Sequence, residues 1–124
     1  KRCIATSGQV VEIINKAAFV DGMRAADPAF SKFIDVRIRS GPNDTRDNLP
    51  PVEVPEGALF LLGDNRDNSR DSRSWGTVPL RYVMGRGVAV LFSVHPEEGE
   101  GSGWKGLLDL PARVRWGRIG TWLQ

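Results

Sequence analysis

The stretch ALFLLGDNRDNSRDSR, residues 58–73, joins five apolar residues directly to a long polar run. The apolar half, residues 58–62, is short, continuous and preceded by turn residues, which is typical of a strand buried on both faces. The polar half, residues 63–73, predicts a loop in which aspartate and asparagine cap backbone N–H groups and arginine pairs with carboxylate. A stiff polar loop after a buried strand holds reacting groups well, so this loop is the candidate functional site.

The loop of residues 63–73 allows three interpretations on its residues alone. A calcium loop needs a glycine at the sixth position and an acid at the twelfth. Counted from Asn65, these positions are Arg70 and Gly76, and the interleaved arginines would repel a cation, so we expect no metal site. A structural turn fits, because the charges of the loop cancel internally. A catalytic loop fits as well, and the composition leaves these two open.

Short strands and turn dipeptides precede this stretch. The segments Arg2–Thr6, Val10–Ile14 and Ala17–Val20 read as strands. They are separated by Ser7-Gly8 and by Asn15-Lys16, and Asp21-Gly22 follows the third. Turn dipeptides between short alternating segments predict a β-meander.

The apolar pattern weakens over residues 23–55. This region contains Gly41-Pro42, a polar run and Pro50-Pro51, which are loop signals. We interpret it as an irregular, variable insertion, with a strand over residues 36–39.

After the loop, residues 75–79 are predicted to be extended, and residues 83–93 to form a strand with a bulge at Gly85 and Gly87. No long segment carries a 3.6-residue apolar period. We therefore expect a mainly β fold of antiparallel sheets with few or no long helices, as one domain over residues 1–124.

The composition excludes several classes of function. Seventeen basic residues face fifteen acidic ones, a formal charge of +2, so nucleic acid is not an expected partner. The single cysteine, Cys3, cannot form an intrachain disulfide and is expected to be buried on a strand. The longest apolar runs have about a quarter of the ~20 residues that a membrane helix needs.

Two segments resemble the type I signal peptidases. The run GDNRDNSRDSR, residues 63–73, continuing through Trp75-Gly76 and Val78-Pro79, is similar to the most characteristic box of that family. The opening KRCIATSG resembles a second box, in which a Lys-Arg pair begins a strand and a glycine turn follows. The family usually has Leu-Pro-Gly-Asp where this chain has Thr, Ser, Gly and Gln at residues 6–9. The resemblance implies the mainly antiparallel β fold of the serine–lysine peptidases.

The resemblance also implies a role for each site residue. Lys1 would be the general base in place of histidine, and Ser69 would hydrogen-bond and orient its amine. A lysine acts as a base only when neutral, so Asp71 should be held by an arginine instead of facing Lys1. The supporting residues would be Gly63, Asp64, Asn65, Arg66, Asn68, Asp71 and Arg73.

A cofactor-free serine endopeptidase that removes signal peptides from exported preproteins is the implied activity. The attacking serine is expected upstream of Lys1, so this fragment should be inactive alone. The full-length protein would be anchored in the bacterial cytoplasmic membrane, with its catalytic domain at the membrane surface on the extracytoplasmic face. Two alternatives are an inactive homologue that binds membrane or exported segments, and a self-cleaving or pilus-processing serine–lysine peptidase. The 63–73 box argues against the second.

Overall fold

The structure, a computed structural model, describes residues 1–41, 44–91 and 115–122. The chain divides into two compact units, Lys1–Val83 and Met84–Gln124, and each is described by itself. The prediction of one domain over residues 1–124 stays a prediction.

The unit Lys1–Val83 is built from short strands with very little helix. Its elements in chain order are β1 (Arg2–Thr6), β2 (Val10–Ile14), β3 (Ala17–Val20), β4 (Met23–Arg24), β5 (Leu49–Glu53), β6 (Ala58–Leu62), α1 (Ser72–Trp75), β7 (Val78–Pro79) and a 3₁₀ turn (Leu80–Tyr82). One sheet has the strand order β1-β6-β7 and the other β4-β3-β2-β5, and every pairing is antiparallel. The expectation of a mainly antiparallel β fold with few helices is confirmed.

Two tight hairpins link β2, β3 and β4, as the turn dipeptides predict. Ile14 faces Ala17 across the first hairpin, whose turn residues Asn15 and Lys16 have φ of 48° and 74°. Asp21-Gly22 makes the second turn in the same left-handed region, with φ of 50° and 77°. Positive φ at both turn residues gives a twist that matches the flanking strands.

Both sheets contribute to a single hydrophobic core. Alternate residues of β6 are fully buried, led by Phe60 at 0% exposure, while Leu59 and Leu61 are half-buried, so the strand is not buried on both faces as predicted. From the second sheet, Val11 and Ile13 of β2 reach the same cluster. Burying such side chains stabilises each by roughly 1.5–3 kcal/mol. The core therefore fixes the register of β6 and the starting point of the loop that follows it.

The pairing of β1 with β6 brings the first residue of the chain to the polar loop. Arg2 lies opposite Leu62 in this antiparallel pair. The next residues outward, Lys1 and Gly63, therefore meet at the same end of the sheet.

The turn of residues 6–9 forms although it departs from the usual family sequence. Gly8 has a φ of 80°, which favours glycine. The Gln9 side-chain oxygen accepts hydrogen bonds from the Thr6 N–H (2.9 Å) and the Thr6 hydroxyl (3.2 Å). Gln9 thus supplies a side-chain acceptor that holds the turn closed.

The described part of the 23–55 region contains more strand than predicted. It contains β4 and β5, and β5 includes Pro50 and Pro51. Proline lacks an N–H and is tolerated there because β5 is the edge strand of its sheet. The strand predicted over residues 36–39 is wrong: these residues have no strand pairing, and Val36 is 99% exposed.

The segment after the loop also differs from the prediction. Residues 75–79 are not continuously extended, since α1 ends at Trp75 and β7 begins at Val78. Asp71 caps α1, because its side chain accepts a hydrogen bond from the Arg73 N–H, as aspartate commonly does at a helix start. Cys3, expected to be buried, is exposed on β1.

Within the described part of Met84–Gln124, regular structure is sparse. A 3₁₀ turn covers Trp116–Arg118, and Ala89 makes an isolated antiparallel bridge with Trp122. The strand predicted over residues 83–93 is wrong for residues 83–91, which otherwise have no strand pairing; residues 92 and 93 lie outside the described residues.

Candidate active site

Lys1 and Ser69 meet although 68 positions separate them. The Lys1 Nζ donates a hydrogen bond of 2.7 Å to the Ser69 Oγ. The pairing of β1 with β6 places Lys1 at the start of the loop, and the loop brings Ser69 back to the same place. The two residues that the sequence singled out as base and orienting hydroxyl are therefore in direct contact.

Gly63 lies where a side chain has no room. A Cβ added to Gly63 would be 2.0 Å from the Ser69 Oγ and 3.3 Å from the Lys1 Nζ. The first distance is far below any non-bonded contact, so the glycine is required by space around the Lys1–Ser69 pair. This close packing is consistent with a supporting role of Gly63 beside the lysine.

Asp71 is fully buried and is held by an arginine, as the sequence predicts. The Arg73 Nε and Nη2 donate to its two oxygens at 2.9 and 2.8 Å. The Gly63 N–H also donates to Asp71 Oδ2 at 3.0 Å. Burial alone would raise the pKa of Asp71, but these donors hold it below its usual value.

Arg73 connects Asp71 to the backbone of two other segments. Its Nη2 donates to the Arg66 carbonyl at 2.6 Å, and its Nη1 donates to the Arg46 carbonyl at 2.8 Å. Thr45 in turn donates its hydroxyl to the Arg73 carbonyl at 2.5 Å. The guanidinium is thus almost fully used inside the protein, which suits arginine's planar set of donors.

Asp71→Asn should lower the free energy of unfolding by about 3 kcal/mol at pH 7, because the buried Arg73 loses its counter-charge. Since the folded-state pKa of Asp71 is depressed, its contribution is present above the unfolded pKa of about 3.9 and is lost as pH falls through the lower folded value. Chemical denaturation between pH 7 and pH 2 measures both effects. The wild-type protein should lose more stability than Asp71→Asn over the acid range; equal losses would contradict the assignment.

Asp64 and Arg66 each bind a partner outside the loop. The Arg2 Nε lies 3.1 Å from Asp64 Oδ1, so the residue after Lys1 is also tied to the loop. Arg66 is buried, and its Nη1 lies 2.6 Å from Asp27 Oδ1. Both contacts hold the loop to neighbouring segments, which is consistent with the supporting role expected of the two residues.

The two asparagines shape the middle of the loop. Asn65 accepts from the Asn68 N–H through its carbonyl at 3.2 Å and through its side-chain Oδ1 at 3.3 Å. Asn65 also bridges Lys32 of the 23–55 region. Such asparagine-capped turns stiffen a loop without regular structure.

Lys1 itself is exposed in this chain. Ser69 is half-buried.

A second group of charged residues beside the loop was missed by the sequence reasoning. Lys16 binds Asp67 of the loop at 2.7 Å, and Asp35, Arg46 and Asp47 surround this pair. The signal was present as three Asp and three Arg residues interspersed over residues 35–47, the same self-neutralising chemistry as in the 63–73 box. The sequence analysis interprets this region as an irregular, variable insertion, because sequence spacing does not show which turn lies next to which loop.

Neither a metal site nor a membrane span is found in the described part of the chain. In the ranges 1–41, 44–91 and 115–122, no three His, Cys, Asp or Glu side chains cluster as metal ligands would. Over the same residues, no helix has the length and apolar character needed to cross a bilayer.

The fold and site define a mainly antiparallel β protein in which a lysine amine is paired with a serine hydroxyl at the end of a buried strand. The family described as "Signal peptidase, peptidase S26" matches residues 1–92. The chain belongs to this family.

Individual relatives agree with the family match. "Probable signal peptidase I-1" of Synechocystis is 33% identical over 121 residues, covering 98% of this chain and 46% of the relative. "Signal peptidase I" of Bacillus amyloliquefaciens is 35% identical over 96 residues, covering 77% of this chain and 49% of the relative. The chain thus spans about half the length of these two relatives.

A crystal structure of a signal peptidase I from Enterococcus faecalis is a structural neighbour. Its TM-score is 0.49 at 29% sequence identity, covering 68% of this chain and 78% of that chain.

Proposed function

We propose that this chain is the lysine-bearing catalytic part of a type I signal peptidase, which cleaves signal peptides from exported preproteins with a serine–lysine dyad. The observation that carries the proposal is the 2.7 Å hydrogen bond from Lys1 Nζ to Ser69 Oγ, formed by two residues 68 positions apart within the family-matched region.

The hydrogen-bond direction at Ser69 supports Lys1 as the general base. The Ser69 Oγ accepts a hydrogen bond from the Lys1 amine. A neutral amine that donates one N–H to Ser69 has its lone pair restricted in direction, so it is ready to take the proton of an attacking hydroxyl. Ser69 is then the orienting group.

The attacking serine is proposed to lie upstream of Lys1 in the full-length protein. Two of the other described serines have structural contacts instead: the Ser72 Oγ accepts from the Leu61 N–H at 2.9 Å, and the Ser7 Oγ accepts from the Gly57 N–H at 2.9 Å. An upstream segment with bound substrate would also cover the exposed Lys1 and favour its neutral form. On this proposal residues 1–124 alone are inactive.

We place the catalytic domain at the outer surface of the bacterial cytoplasmic membrane, held by an anchor elsewhere in the full-length protein. The partners would be exported preproteins and the membrane surface, without a cofactor and without nucleic acid. Exposed apolar side chains such as Ile34 (64%) and Val36 (99%) support a membrane-facing surface. The formal charge of +2 gives no strong field toward nucleic acid.

Cleavage by the full-length protein in detergent tests the proposal. A preprotein substrate should be cut at one site, identified by mass spectrometry of the new N-terminus. Ser69→Ala should lower kcat by about 100-fold, because the amine loses its orienting acceptor. Ser74→Ala, the same change at an exposed serine of the adjoining helix, should leave kcat unchanged.

Two outcomes would overturn the proposal. A full-length wild-type protein that binds preproteins without cutting them would favour the inactive homologue. Equal kcat for Ser69→Ala and Ser74→Ala would remove Ser69 from the mechanism.

A further inference from the structure

We propose that Lys16 is a positioning residue: through Asp67 it fixes the loop of residues 63–73 and so holds Ser69 against Lys1. The proposal rests on the proposed function of the Lys1–Ser69 pair. The Lys16 Nζ lies 2.7 Å from Asp67 Oδ1, and the two side chains are 11% and 2% exposed. A lysine at a hairpin turn is normally solvated, so this near-complete burial needs an explanation.

Asp67 has both carboxylate oxygens occupied by the same small assembly. Its Oδ1 accepts from Lys16, and its Oδ2 accepts from the Asp35 N–H at 2.8 Å. Lys16 closes the assembly by donating to the Asp35 carbonyl at 2.5 Å. The three residues therefore form a closed ring of hydrogen bonds, in which Asp67 cannot move unless Lys16 or Asp35 moves as well.

Arg46 anchors this ring of hydrogen bonds to the rest of the unit. Arg46 donates to both oxygens of Asp47 at 2.8 and 2.7 Å and to Asp35 at 3.2 Å. The Lys16 N–H donates to the Asp47 carbonyl at 2.8 Å, and its Nζ lies 3.9 Å from the Asp47 carboxylate. With Arg37, whose Nε lies 3.0 Å from Asp35 Oδ1, three cations face three carboxylates in this group. Loss of Lys16 would therefore leave one buried carboxylate without its cation.

Ser69 lies midway between two buried, cation-bound carboxylates. Asp67 is two residues before it and Asp71 two residues after it. Arg73 holds Asp71 and also donates to the Arg46 carbonyl at 2.8 Å. This bond joins the Asp71–Arg73 pair to the group of charged residues around Asp67. With both ends of a five-residue span fixed, the serine hydroxyl is fixed too, and Lys16 supplies one of the two fixed ends.

Removing the Lys16 amine in the full-length protein tests the proposal. Lys16→Met should lower kcat for preprotein cleavage by about 10- to 100-fold with little change in KM, because a catalytic group displaced by ~1 Å costs up to about 100-fold. Hydrogen exchange of the amides of residues 63–73 should become faster. Lys32→Met is the matched control, since Lys32 contacts the loop through its backbone alone and its side chain is exposed; kcat and exchange should stay at wild-type values.

A second pair of variants separates positioning from general loss of stability. Lys16→Met/Asp67→Asn removes the uncompensated carboxylate, so its melting temperature should recover relative to Lys16→Met while kcat stays low. In a Ser69→Ala background, Lys16→Met should cause no further loss of kcat, because its effect passes through Ser69.

Three results would overturn the role of Lys16: wild-type kcat in Lys16→Met, recovery of kcat with stability in the double variant, or an equal additional loss in the Ser69→Ala background. An inactive wild-type protein would contradict the proposed function instead. In that case hydrogen exchange still tests whether Lys16 fixes the loop. Unchanged exchange of residues 63–73 in Lys16→Met would overturn this role without any activity measurement.

Discussion

Lys1→Met in the full-length protein is expected to lower kcat for preprotein cleavage by about 10⁴-fold, the upper end of what a general base contributes. Methionine matches the lysine side chain as far as Cε but lacks the amine that lies 2.7 Å from the Ser69 Oγ. The melting temperature should stay within about 2 °C of wild type, because an exposed side chain leaves neither a cavity nor an unpaired buried charge. Cleavage kinetics and circular dichroism melting measure the two quantities.

Lys1→Arg is the control that separates a base from a positive charge. Arginine carries the same charge but stays protonated at any working pH, so it cannot accept the proton of an attacking hydroxyl. We expect this variant to be as slow as Lys1→Met. Appreciable cleavage by Lys1→Arg would mean that Lys1 acts through its charge, and wild-type kcat in either variant would rule out the base assignment.

Gly63→Ala should lower kcat by about 10³-fold, although alanine adds a single methyl group. That carbon would lie 2.0 Å from the Ser69 Oγ and 2.6 Å from the Ser69 Cβ, so the serine must move away from Lys1. The Gly63 N–H also donates to Asp71 at 3.0 Å, and a backbone shift that relieves the clash would disturb this bond. The effect is large because Ser69 loses its orientation toward Lys1 and Asp71 loses the support of the Gly63 N–H.

Gly85→Ala provides the comparison for Gly63→Ala. A Cβ added at Gly85 meets nothing within 4 Å, so the same chemical change is made without a clash. Its kcat should equal that of the wild type. If Gly63→Ala retains kcat within about 3-fold of Gly85→Ala, the close packing of Gly63, Ser69 and Lys1 is not needed for the reaction.

The parts of the fold that depend on local chemistry could be predicted from the sequence. Asn15-Lys16 and Asp21-Gly22 form the expected turns, and β1, β2, β3 and β6 have the expected bounds. β5 was missed because Pro50 and Pro51 oppose a strand in general but not at the edge of a sheet, and an edge position depends on tertiary pairing. The strand predicted over residues 36–39 is wrong because the apolar residues there have no neighbouring strand to pair with.

The candidate site likewise has a part that could be predicted from the sequence and a part that depends on tertiary contacts. The family resemblance and the 63–73 box together named Lys1, Ser69, Gly63, Asp71 and Arg73, and these residues are joined by a continuous series of contacts. The contacts of the loop with distant segments could not be read from spacing. Asp27 reaches Arg66 from the 23–55 region, and Lys16 reaches Asp67 from the turn between β2 and β3.

The backbone at Lys16 has a consequence for how this chain can change. Its φ of 74° belongs to the left-handed region, where a residue with a side chain is less stable than glycine by roughly 1–2 kcal/mol. Replacement by glycine would relax the hairpin and at the same time remove the amine that binds Asp67. Local backbone preference and the charge balance of the loop therefore oppose each other at one position. A search for stabilising substitutions based on turn geometry alone would select a change here that leaves the loop with one of its two anchors.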